Sequence, residues 1–301
     1  MAKMYSGIST LRTGTASDEI TEGCLILEGG AFRGLYTSGA LDAFMEEDLN
    51  MSCSVGISAG SLNGMNYISG QIGRSARMNL QYRHDGRYCG LRALVQNKGV
   101  IGFKFIFGKM KGVEDFDEAR FYSRPMKFYA QIASLETGEA EYIEKNSGTD
   151  IWQAVRASSS MPYVSKKVIV DGKPYLDGGC AYKVPADWGK EHGYDKTVII
   201  RTRERGWRYP VKDKPSKMPY RFYHKYPEFA QALATTEERH NEACARMEEM
   251  ADRGEIYCLW PSEHVTVTRL EKDMEKLGAL YWLGYNDAKA AIPAIKEFLT
   301  R

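Results

Sequence analysis

The chain lacks a hydrophobic run long enough to cross a bilayer. Its longest greasy stretch, Val100–Gly108, is interrupted by Lys104, whereas a spanning helix needs roughly 18 or more apolar residues. It also lacks metal and dithiol motifs. The six cysteines (Cys24, Cys53, Cys89, Cys180, Cys244, Cys258) show no CxxC spacing and no histidine cluster beside them, so zinc and redox motifs are excluded. Cys24 and Cys53 sit in strand-like runs and read as small buried hydrophobes, and the set fits a reduced, cytoplasmic protein. Charge of one sign is missing too: 41 Lys/Arg against 39 Asp/Glu leave a net of +2. No global field draws in nucleic acid, and none is expected as a partner. Residues 1–22 are polar and Ser/Thr-rich, without the apolar stretch of roughly 7–15 residues that marks a secretory signal.

What is present is an ordinary globular composition, 43% hydrophobic and 27% charged over 301 residues, which excludes disordered and collagen-like chains. Length alone allows two domains. The pattern along the chain instead predicts a polar N-terminal tail (1–22) and one α/β domain (23–301). The apolar run Cys24–Glu28 stops at the glycine turn Gly29–Gly34, and helix-like spacing follows to Glu47. A second strand, Met51–Val55, stops at Gly56–Gly60 and is followed by another helix. This alternation argues for a parallel sheet with helical crossovers. Arg83–Gly112, rich in glycine, basic and aromatic residues, reads as a cap-like excursion. Met126–Ser134 and Ala140–Glu144 read as paired strands, and Asp150 as the N-cap of a helix over Ile151–Ser158. Lys166–Val170 and Pro174–Leu176 form a hairpin across Asp171-Gly172. Thr197–Thr202 and Ile256–Trp260 are strands; Pro227–Arg253 and Asn286–Leu299 are helices.

Three short blocks carry chemistry. Gly56-Ile57-Ser58-Ala59-Gly60 is a G-x-S-x-G between a strand and a helix. Small neighbours there let a serine hydroxyl stand clear on a tight turn, and the helix start offers unpaired N–H groups to a developing anion. Ser58 is the candidate nucleophile, or else a simple helix cap. Gly29-Gly30-Ala31-Phe32-Arg33-Gly34 can aim backbone amides at one point. It lacks the Lys-Ser/Thr of a phosphate-binding loop and the G-x-G-x-x-G register of a dinucleotide site, whereas an oxyanion hole needs neither. Arg33 is expected to brace this loop through hydrogen bonds to carbonyls, or else to be an exposed first-turn arginine. Asp177-Gly178-Gly179 follows a strand and frees a carboxylate to face a partner, or merely ends the strand.

The order and spacing of these blocks, with GISAG beginning 22 residues beyond Gly34 and with Ala157–Pro162 (ASSSMP) ahead of the last block, resembles the patatin-like phospholipase family, its bacterial branch, over about Cys24–Pro185. The resemblance implies a three-layer α/β/α sandwich and metal- and cofactor-independent hydrolysis of lipid acyl esters. It implies Ser58 as nucleophile, Asp177 as general base, and the Gly29–Gly34 amides as oxyanion hole. Two departures stand out: Ala31 replaces the third glycine of the first block, and Lys183-Val184-Pro185 follows the last block where many members have Asn before x-Pro.

A Ser–His–Asp triad would take His264, in the order Ser58, Asp177, His264; the other histidines are expected on surfaces. Arg201–Lys225 holds nine Lys/Arg against two Asp/Glu with interleaved aromatics. Arg205, Trp207, Arg208 and Lys212 are therefore candidates for peripheral contact with a membrane surface, against a solvated loop with inward aromatics. The expected substrate is a phospholipid or lysophospholipid ester. The rival readings are a general carboxylesterase or thioesterase on the same site, and a dormant lipid-binding module.

Overall fold

The computed structural model describes residues 3–90, 101–108, 112–211 and 216–301. Eight strands form one mixed sheet: β1 (Thr21–Leu27), β2 (Met51–Ile57), β3 (Lys127–Ser134), β4 (Ala140–Glu144), β5 (Val168–Val170), β6 (Lys173–Asp177), β7 (Thr197–Ile200) and β8 (Tyr257–Leu259). Their spatial order is β8-β7-β1-β2-β3-β6-β5, with β4 also paired to β3. The run from β8 to β3 is parallel and the pairings of β4, β5 and β6 are antiparallel. The central strands are apolar on both faces, as a parallel sheet covered on both sides requires. Along β1, Leu25 and Leu27 pack into a core shared with helices α1 (Gly34–Glu46), α2 (Ala59–Ser69) and α6 (Met274–Thr300). Cys24 and Ile26 face the opposite core, where Trp188 and Met247 and Met250 of helix α5 (Thr236–Asp252) close the other side. The result is the three-layer α/β/α arrangement that the sequence suggests.

The pairing along β3 brings distant residues together. Ile57, the last residue of β2, lies opposite Gln131; Asp177, the last residue of β6, lies opposite Ile132. β4 occupies the other edge of β3 at these same residues. β2 runs parallel to β3 and β6 antiparallel, so their C-terminal ends meet head-on along one edge. That geometry, not any local motif, places the residue after Ile57 beside Asp177.

Several elements depart from the sequence reading. The helix expected at Asn286–Leu299 begins at Met274. Gly278, Gly284 and a run of aromatics weaken its intrinsic signal, yet the glycines are needed for packing. A Cβ on Gly284 would lie 2.0 Å from the Tyr36 carbonyl oxygen, and one on Gly39 of α1 would lie 2.0 Å from that of Tyr281. The two helices touch backbone to backbone. Pro227–Arg253 is not one helix but two, Pro227–Ala234 and Thr236–Asp252, broken at Thr235. The polar N-terminal segment is also built in. Leu11 and Ala16 are buried, and Gly14–Thr15 pairs with Gln71–Ile72. Within the expected excursion, Phe103–Phe107 is a short helix with Phe105 and Ile106 buried; residues 91–100 and 109–111 lie outside the described residues. All six cysteines are free and buried. No helix among the described residues is long and apolar enough to cross a membrane.

Candidate active site

Ser58 sits on a sharp turn between β2 and α2 with φ +55° and ψ −119°, a left-handed conformation that disfavours a side-chain-bearing residue. Its surroundings impose the turn. A Cβ on Gly60 would fall 2.1 Å from the Leu27 carbonyl oxygen, and one on Gly56 would fall 2.5 Å from Ser61 Cα. The Ser58 amide donates to Ser158 Oγ at 3.0 Å, and that hydroxyl lies 2.7 Å from Ser61 Oγ, which donates in turn to the Gly56 carbonyl. Ser158 is fully buried at the end of helix α4 (Ile151–Ser158). It is the residue of the ASSSMP segment whose contribution the residue reading missed. A buried hydroxyl within a run of three serines has no distinguishing local pattern.

Ser58 Oγ donates directly to Asp177 Oδ2 at 2.7 Å. Asp177 Oδ1 accepts from the Gly179 amide at 2.8 Å, and the Asp177 amide donates to the Ser160 carbonyl. Burial pushes the Asp177 carboxyl up, and the hydrogen bonds from Ser58 and Gly179 pull it back, leaving it at about 6. The turn after Asp177 is braced by Gln131, whose Nε2 donates to the carbonyls of Gly178 and Tyr182. Buried Gln131 thus supplies the support that the Lys183-Val184-Pro185 departure leaves open.

The first glycine block lies beside this turn: a Cβ on Gly29 would meet Ser58 Cβ at 2.8 Å. Not all six amides of the block are available. Phe32 N–H donates to the Arg269 carbonyl, Arg33 N–H to the Gly30 carbonyl, and Gly34 N–H back to Ala31 and Phe32. The amides of Gly30 and Ala31 hold no acceptor among the described residues. Ala31 takes φ +52°, a conformation easier for the glycine it replaces. Arg33 does not brace the loop through carbonyls. It is buried, and its Nε has no partner. The bracing comes from Thr202 Oγ1, 3.0 Å from the Gly29 carbonyl, and from Glu28. Glu28 Oε2 accepts from Arg201 Nε at 3.0 Å and from the Thr202 amide at 2.6 Å. Burial raises the Glu28 carboxyl, but Arg201 and its other partners outweigh burial and hold it at about 2.

Two cavities meet at Ser58. The larger, about 510 Å³, holds Ser58 and Asp177 together with Tyr163, Trp207 and Tyr209. The smaller, about 60 Å³, runs inward past Phe32, Leu62, Met78, Tyr88 and Ile106. Ala31, Ser58, Met161 and Leu270 line both.

Other sequence expectations resolve differently. His264 is exposed and pairs with Glu204 at 2.6 Å, so the serine hydroxyl reaches a carboxylate without an imidazole between. His240 is buried, not on the surface; burial holds it neutral, at about 3, on the wall of the larger cavity. In the basic run, Arg205 pairs with Asp252 and Arg208 with Glu248 through two hydrogen bonds. Trp207 lines the cavity instead of facing outward, and Lys212 lies outside the described residues. Arg205 and Arg208 are thus each paired with an acid of helix α5.

The sheet and the serine turn define a three-layer α/β/α fold with a serine on a strand-to-helix turn. The family model "Patatin-like phospholipase" matches residues 25–187, and "Domain of unknown function (DUF6363)" matches 226–300. The chain belongs to the patatin-like phospholipase family. It is 26% identical over 185 residues to the uncharacterized protein YjjU of Escherichia coli, covering 59% of this chain and 51% of YjjU. It is 25% identical over 186 residues to lysophospholipase nte1 of Aspergillus niger, covering 58% of this chain and 11% of nte1. The chain thus spans about half of one relative and a small part of the other. The fold matches VipD of Legionella pneumophila with TM-score 0.50 at 12% identity, over 94% of this chain and 68% of VipD.

Proposed function

We propose that this protein is a serine-dependent lipid acyl hydrolase of the phospholipase A or lysophospholipase type, with Ser58 as nucleophile and Asp177 as general base. The observation that carries this reading is the 2.7 Å hydrogen bond from Ser58 Oγ to Asp177 Oδ2 where two cavities meet. Asp177 takes the hydroxyl proton as Ser58 Oγ bonds to the ester carbonyl carbon. The oxyanion is held by the Gly30 and Ala31 amides and by the opening turn of α2. Asp177 then returns the proton to the departing alkoxide. In the second half, Asp177 accepts a proton from water as that water attacks the acyl-serine, and gives it to Ser58 Oγ as the Oγ–acyl bond breaks and the fatty acid leaves. A carboxyl at about 6 is a stronger base than an ordinary aspartate at ~3.9 and is still ionised at neutral pH. The lipid substrate class agrees with the family and with the lysophospholipase relative.

The test is fatty-acid release from a panel of phospholipids, lysophospholipids and simple esters by wild type and Ser58→Ala. Release by wild type and a loss of at least ~10³-fold in the variant is expected; equal turnover by both would overturn the assignment.

A further inference from the structure

The larger cavity gathers four cations around the serine and its carboxylate: Arg33, Lys183, Arg203 and Arg269. None of the four has a carboxylate within ion-pairing distance among the described residues. The contrast with the rest of the basic run is informative: Arg201, Arg205 and Arg208, which do not line the cavity, are each matched to an acid, Glu28, Asp252 and Glu248. The cavity cations are oriented by neutral groups instead. Arg203 Nη1 donates to the Val265 carbonyl and its guanidinium lies over the Trp207 ring. Arg269 Nη2 donates to Tyr209 Oη at 2.7 Å, and Lys183 Nζ lies 4.1 Å from the centre of the same tyrosine ring. Arg33 is 93% buried at the base, its Nε unpartnered. Burial, then the charge of Arg203, and further that of Arg269 hold Arg33 down at about 10. Four carboxylates share the walls. Glu28 is engaged by Arg201 and Thr202, and Asp177 by Ser58 and Gly179; Glu237 and Glu238 open helix α5.

The four cations are held without a direct ion pair, and the nearby carboxylates Glu28 and Asp177 are already engaged by other donors, so the cations leave donors free for an incoming anion, and forked N–H donors suit phosphate oxygens. We propose that Arg203 and Arg269, with Lys183 and Arg33, form a phosphate subsite that selects acyl esters carrying a phosphate headgroup. The inference rests on the acyl hydrolase reading and deepens it. It also gives the C-terminal segment matched as a domain of unknown function a role, since Arg269 lies in that segment, outside residues 25–187.

The test compares kcat/KM for dihexanoyl phosphatidic acid and dihexanoylglycerol in wild type, Arg203→Gln, Arg269→Gln and Arg269→Lys. The wild-type preference for the phosphate ester is expected to fall at least tenfold in each glutamine variant, chiefly through KM, with partial recovery in Arg269→Lys. A smaller fall, or an equal fall on both esters, overturns the proposal. Inorganic phosphate separates a headgroup from a free ion: competition only at millimolar levels supports the headgroup site, and micromolar competition overturns it. If wild type cleaves neither ester, the wider lipid panel decides the hydrolase reading. The subsite is then decided by binding to Ser58→Ala, where phosphatidic acid bound no more tightly than the diacylglycerol refutes it.

Discussion

Replacing Asp177 by asparagine removes one charge and almost no volume. The asparagine Oδ1 can still accept from the Gly179 amide, and its Nδ2 can donate to Ser58 Oγ, so the turn should survive. Activity should not, because an amide cannot take the serine proton. Stability should move the other way. The folded carboxyl sits at about 6, against an ordinary aspartate value of 3.8, because burial disfavours its charge. A folded pKa above the unfolded one means that the native state binds the proton more tightly. The favourable contribution is complete below about 3.8 and is lost as pH rises through about 6. The difference corresponds to about 3 kcal/mol at pH 8, as an order of magnitude. With an unfolding entropy of about 0.6 kcal/mol per kelvin for a chain of this length, Asp177→Asn should melt about 5 °C above wild type at pH 8. The gap should close toward pH 4. Thermal melts across that range check it, beside kcat/KM for an ester substrate, which in wild type should fall about tenfold per pH unit below about 6. A variant that melts lower than wild type at pH 8, or a rate profile flat from pH 7 to 5, would refute the reasoning.

Glu28→Gln leaves Arg201 charged and unpaired in the core and should destabilise the protein by about 3–5 kcal/mol, read by denaturant unfolding at neutral pH. Because Glu28 is held at about 2, below the ordinary glutamate value of 4.5, the stabilisation it gives is present above about 4.5 and disappears as pH falls toward 2. Ala31→Gly relieves a left-handed alanine worth ~1–2 kcal/mol and adds glycine's unfolded-state entropy of ~0.5–1 kcal/mol. Melting should shift by no more than ~1.5 kcal/mol equivalent, with ester turnover retained; a tenfold loss of turnover would show that the methyl group matters. His264→Ala should change kcat/KM less than twofold, since the ring faces solvent beside Glu204; loss by orders of magnitude would restore a histidine to the mechanism.

The three glycine-bearing blocks were legible in the sequence because their requirements are local. Gly56 and Gly60 flank Ser58 within one turn, and Gly178-Gly179 follow Asp177 directly. The central strands were legible because a sheet buried on both faces writes itself as short apolar runs. What the sequence withheld depends on residues far apart. The head-on meeting of β2 and β6 is a property of register along β3. The partners of Arg205 and Arg208 lie on a helix some forty residues on, so a run that looked like a free basic patch is partly neutralised. Helix α6 was read short because Gly278 and Gly284 lower its propensity, and the contact that explains Gly284 is with Tyr36. Arg33 was expected to bind carbonyls beside it; Thr202 and Glu28, both outside the loop, do the bracing instead.

The central claim is that Ser58 is a nucleophile activated by its neighbour. The most direct measurement is fluorophosphonate labelling of the intact protein followed by peptide mass spectrometry, with Asp177→Asn alongside. One adduct on the Ser58 peptide of wild type, and little or none in the variant, is the predicted result. An unlabelled Ser58, or equal labelling of both proteins, would contradict it.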